Sequence, residues 1–157
     1  MRSTTRFLIG AAFVVGFGLG WAVKDRAVVS AQAPAKPFMM QRVYTGTDGL
    51  SHVESIPLNA QSMLEKVTGA RVSVSQPGNF SDYHVGPERR YIINLTGGGQ
   101  LQLAEGKVDL PAGSIEFIDD LTGKGHTTAN VGKEPRVSIW LQFADQKQVI
   151  GPLANKR

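Results

Sequence analysis

The stretch from Gly78 to His126, GNFSDYHVGPERRYIINLTGGGQLQLAEGKVDLPAGSIEFIDDLTGKGH, constrains the fold more than any other part of the chain. Its apolar residues alternate with polar ones in short runs, and Gly- or Pro-marked turns separate the runs. Alternation at period two puts every second side chain on one face of an extended strand, and turns this closely spaced fold such strands into a barrel or sandwich. No strand–helix alternation occurs, which argues against a doubly wound fold. His84 stands near the start of the stretch and His126 at its end, so an interior site between the layers is the first place to look for chemistry.

The flanks extend the pattern. Phe38–Tyr44 reads as a short lead strand, Leu50–Leu58 alternates weakly, and Ala70–Ser75 carries Val72 and Val74 on one face. Arg90–Thr96, Ser114–Ile118, His126–Val131 and Arg136–Phe143 are strand-like, and Gln100–Leu103 and Lys107–Leu110 form a hairpin about Ala104-Glu105-Gly106. Asn59–Lys66 is the single helical turn expected. Eight to ten short strands result, an all-β chain.

The N-terminus has a different character. Arg2 and Arg6 precede an apolar run, Phe7–Val23, and Ala27–Ala33 supplies small residues for cleavage after Ala31. This is the layout of a secretory signal peptide. The run also spans about 25 Å as a helix, usable as an uncleaved anchor. Residues 1–31 are therefore expected to be a signal peptide or membrane anchor. Residues 32–43, opening on the extended Gln32–Pro37, are a linker, residues 44–145 the folded domain, and 146–157 a tail that crosses the barrel or frays. The protein is expected to be exported, periplasmic or held at the outer face of the cytoplasmic membrane, touching the membrane only through this segment.

Charge and cysteine content exclude several functions. The chain carries 17 Lys and Arg against 13 Asp and Glu. Residues 1–31 hold four of the former and one of the latter, so 13 and 12 remain in the body. Scattered, nearly balanced charge does not make a phosphate-tracking face, and no nucleic-acid partner is expected. With no Cys, the chain has no disulfide, thiol nucleophile or Cys-ligated zinc. Neither a Gly-x-Ser-x-Gly elbow nor a His-Glu-x-x-His run occurs.

Gly78 followed after five residues by His84, and Pro111-Ala112-Gly113 heading a strand, resemble the two cupin motifs. Gly49-Leu50-Ser51-His52, Tyr83-His84, Arg89, Leu95-Thr96-Gly97 and above all Asp120-Leu121-Thr122-Gly123-Lys124-Gly125-His126 resemble a bacterial branch of small single-domain cupins. The resemblance covers about residues 44–143. It implies a cupin-type jelly roll, or double-stranded β-helix, with a small site inside, and it leaves a homodimer open. Metal-binding cupins have a second His where this chain has Gly86, a Glu where it has Arg90, and a further His where it has Glu116. One of four standard ligands survives, so the standard metal site is missing.

Candidate site residues follow. His84 holds the surviving motif slot, with Tyr83 beside it. His126 follows a glycine-framed loop that returns to the same sheets. Arg90 stands in a ligand register and could meet an anionic ligand or Glu116. Glu116 lies between Ile115 and Phe117; it faces solvent if they face the core, and the cavity if the cupin register holds. Inward, it needs a cation or arginine partner, and with His84 and His126 it would make a set for a divalent metal ion. Asp119 and Asp120 read as loop caps, and His52 as peripheral. At least one of Gly123 and Gly125 is expected to need positive φ or close backbone contact. The expected function is binding of a small molecule of unknown identity through His84, His126, Arg90 and Tyr83. The alternatives are a metal-dependent isomerase, lyase or oxygenase using His84, His126 and Glu116, and an envelope scaffold.

Overall fold

The computed structural model describes residues 36–58 and 65–153. The apolar run Phe7–Val23, the cleavage region and most of the helical turn expected at Asn59–Lys66 lie outside the described residues. Among the described residues no helix is long and apolar enough to cross a membrane.

Ten strands follow one another along the chain: β1 Met39–Thr45, β2 Ser51–Pro57, β3 Val67–Ser75, β4 Phe80–His84, β5 Arg90–Asn94, β6 Gly98–Leu103, β7 Gly106–Pro111, β8 Ile115–Asp119, β9 His126–Asn130 and β10 Arg136–Phe143. They build a six-stranded sheet, ordered β2-β1-β8-β5-β10-β3, and a four-stranded sheet, ordered β4-β9-β6-β7. The all-β expectation holds.

The pairing explains the topology. β6 and β7 form a hairpin around Ala104 and Glu105, and outward from it β5 pairs with β8, β4 with β9 and β3 with β10, all antiparallel. One long folded ribbon thus winds so that its strand pairs fall alternately in the two sheets, which is jelly-roll order. The β1–β2 hairpin is an addition at the edge: β1 joins β8 in parallel.

The sheet therefore begins before residue 44. Met40 and Val43 are fully buried on opposite faces of β1, so residues 39–43 belong to the fold and not to a linker. The tail neither crosses the barrel nor frays over its described part. Gly151 N–H donates to Thr45 O (2.9 Å) and Leu153 N–H to Glu54 (3.0 Å), while Leu153 packs near Met40 and Phe143.

Two apolar clusters flank the larger sheet. Val43, Ile92, Leu101, Leu103, Leu110 and Ile118 fill one end of the space between the sheets. Met40, Ile56, Tyr91, Phe117 and Phe143 pack on the sheet's other face, where the last three meet edge to face at 4.5–5.4 Å between centroids. Tyr91 and Phe117 thus look away from the cavity, and period-two alternation sends Ile92 and Glu116 inward.

On that outer face Arg42 and Asp119 are both completely buried. Arg42 donates to Asp119 through Nε (2.9 Å) and Nη2 (2.5 Å), to Glu54 (2.5 Å), and to the carbonyls of Val149 (2.5 Å) and Gly151 (3.0 Å). Arg89 Nε donates to the other Asp119 oxygen at 2.7 Å. Asp119 is thus no simple loop cap; it joins β1, β8, the β4–β5 connection and the tail. Removing one member of such a group strands buried charge, which costs about 3–5 kcal/mol. Arg42→Met should lower stability by about that amount and open residues 146–153 to proteolysis, read by urea denaturation and limited digestion.

Candidate functional site

The space between the sheets is apolar at one end and polar at the other. The polar end is a cavity of about 210 Å³. Serines from the edge strand β3, imidazoles from β4 and β9, and Arg90, Glu116, Arg136, Ser138 and Trp140 from the middle of the larger sheet line it. Each reaches it by strand alternation: Arg90 and Ile92 on β5, Glu116 and Ile118 on β8, Arg136, Ser138 and Trp140 on β10.

His84 and His126 are cross-strand partners on β4 and β9, and their rings lie 4.8 Å apart. Both anchor through Nδ1. His84 Nδ1 sits 2.7 Å from the Asp82 carbonyl, an acceptor only, so Nδ1 carries the proton. His126 Nδ1 donates to Asp120 Oδ2 at 2.6 Å, and Ser51 Oγ donates to the same oxygen at 2.7 Å. Asp120 is fully buried, and its Oδ1 has no partner. A buried carboxylate behind an imidazole fixes ring and tautomer. In the neutral rings both Nε2 atoms are left as acceptors, able to receive a hydrogen bond from a ligand.

The loop before His126 makes this approach feasible. Gly123 and Gly125 have φ of +86° and +78°. A Cβ on Gly123 would lie 2.5 Å from Gly49 O, and one on Gly125 would lie 2.1 Å from His84 O. Both glycines thus combine positive φ with close backbone contact, where at least one was expected to show either. Gly125→Val should therefore destabilise by more than the ~1 kcal/mol typical of point changes, read as a lowered denaturation midpoint. An unshifted midpoint would mean that the backbone contact at His84 is dispensable.

Glu116 is 1% exposed and faces the cavity. Its Oε1 accepts from Asn94 Nδ2 (2.8 Å) and forms an ion pair with Arg136, whose Nε donates to Asn94 Oδ1 at 2.7 Å. The arginine partner that an inward Glu116 requires is thus Arg136. A Cβ at Gly86 would lie 2.4 Å from Ile118 Cγ2 and 3.3 Å from Asp120 Oδ1, so a second histidine has no room there. Among the described residues, no three His, Asp or Glu side chains are grouped to hold a metal ion. The expected set of His84, His126 and Glu116 does not fit: a guanidinium already occupies the Glu116 carboxylate.

Arg90 is 5% exposed, and its guanidinium lies 3.9 Å above the Trp140 ring. Burial disfavours its charge and lowers its pKa, which Glu88 partly offsets. Tyr83 does not line the cavity. It is 47% exposed, with the Lys124 ammonium 4.8 Å from its ring, because neighbours on a strand face opposite ways. His52 is peripheral, bound to Asp48 and Glu105 away from the cavity.

His84, His126 and Arg90, named from the sequence, line the cavity together with Glu116, whose direction the sequence left open; their partners Asp120, Ser51, Arg136, Asn94 and Trp140 were not foreseen. The available signal was the Asp120–His126 spacing across a Gly-x-Gly loop, which brings the two ends of that loop together.

No protein-family model and no curated protein matches the chain. Solved structures do resemble it. A predicted oxalate decarboxylase from Thermotoga maritima is 18% identical over 67% of this chain and 92% of that one, with a TM-score of 0.41. A cupin domain from Bordetella pertussis is 15% identical over 70% and 97%, with a TM-score of 0.38. Oxalate decarboxylase from Bacillus subtilis is 18% identical over 51% of this chain at a TM-score of 0.39, and only 22% of its own length is covered. The jelly roll itself is established by the strand order above. These structural neighbours are cupin-superfamily proteins.

Proposed function

We propose that this protein is exported and binds a small molecule in the cavity between its sheets. The observation that carries the reading is the polar cavity itself. Two imidazoles, each held at Nδ1, and a buried guanidinium converge on about 210 Å³ of space. That volume lies below the ~300–1,000 Å³ of sites for drug-sized ligands, so the ligand is small. A scaffold has no use for such a cavity, since polar groups directed into a void cost stability unless something satisfies them. Export rests on the Arg-flanked run Phe7–Val23 and the small residues before Gln32.

Native mass spectrometry of protein purified from its own host, without chelator, tests the reading. An organic adduct is expected on the wild type and not on Ser138→Trp, which fills the cavity. The same spectrum reads the N-terminus, and a chain starting at Gln32 fits cleavage after Ala31. Wild type and variant each at the mass of its own bare chain would favour the scaffold. A chelator-sensitive metal adduct would favour the metal enzyme.

A further inference from the structure

The charges around the cavity do not balance. Arg90, Arg136 and Glu116 line it. Arg136 and Glu116 answer each other, and Asn94 bridges them. Among the described residues Arg90 has one hydrogen-bonded carboxylate, Glu88, at 3.3 Å from Nη1, against about 2.7–2.9 Å for a strong charge-assisted bond. Glu88 is itself partly exposed and shared with Arg71 at 3.9 Å. Arg90 Nε is buried with no partner. A guanidinium buried this deeply and paired this loosely is short of one negative charge.

The two imidazoles have the opposite need. With Nδ1 of each committed to an oxygen acceptor, each neutral ring presents Nε2 as an acceptor. They suit a hydroxyl group rather than an anion. The nearby carboxylate, Asp120, stands behind His126 and does not line the cavity.

We propose, building on the cavity-binding reading above, that the ligand is a small hydroxycarboxylate: its carboxylate pairs with Arg90 and its hydroxyl donates to an imidazole Nε2. One under-compensated guanidinium matches a single negative charge, so a carboxylate fits better than a phosphate dianion. The Trp140 face beneath Arg90 holds the guanidinium plane in place for a bidentate partner.

Calorimetric titration of the full chain with glycolate, lactate and mandelate, each against its own amide, tests this. At least one acid should bind at millimolar concentration or better, and about tenfold or more tightly than its amide, the range expected when a hydrogen-bonded charge is removed. Arg90→Gln should collapse that preference. Because loss of a buried arginine could unfold the chain, Glu88→Gln is the second variant. It removes the competing carboxylate and should strengthen acid binding while leaving amide binding unchanged. If amides bind as tightly as acids, the carboxylate assignment is wrong while the cavity reading stands. If no probe binds and native mass spectrometry also finds an empty cavity, both are wrong. If no probe binds but a co-purified ligand lacks a carboxylate or a hydroxyl, the hydroxycarboxylate alone is overturned.

Discussion

Asp119 and Asp120 adjoin in sequence, are both fully buried, and serve opposite faces of the larger sheet. Asp119 looks outward and binds Arg42 and Arg89, so that β1, the approach to β5 and the tail hang on one carboxylate. Asp120 looks inward and holds His126 and Ser51. A buried carboxylate is tolerable only when its charge is answered. Each of these two therefore dictates the position of its partners. Together they tie the outer packing of the jelly roll to the geometry of its cavity.

Gly86, Arg90 and Glu116 shape the inner end of the cavity. Gly86 sits where any Cβ would strike Ile118. Glu116 is ion-paired with Arg136, which answers its buried charge. What remains open to a ligand is a pair of Nε2 acceptors and Arg90, a set that suits recognition of a small polar molecule.

The strands were legible because their periodicity is local. β2, β5, β8 and β10 fall within a residue or two of the expected segments. The loop glycines were legible because Gly-Lys-Gly before a strand has few conformational uses other than a tight corner. Residues 39–43 were assigned to a linker because Pro-rich composition precedes them, while their claim on the sheet comes from β8, over seventy residues away. Glu116 could not be oriented from its neighbours Ile115 and Phe117, since the outer face of the larger sheet has its own apolar cluster. Arg136 as its partner is a consequence of β-sheet register that no local pattern carries, whereas Asp120 as the anchor of His126 is signalled only by their spacing across the Gly-Lys-Gly loop.

The central claim is that two anchored imidazoles present bare Nε2 atoms to one cavity. Long-range proton–nitrogen NMR of the histidine side chains at mildly alkaline pH measures this directly, with His84→Gln and His126→Gln giving the assignments. Both rings are predicted to carry their proton on Nδ1, with His126 Nδ1–H shifted far downfield by Asp120. A Nε2–H tautomer at either residue would contradict the account.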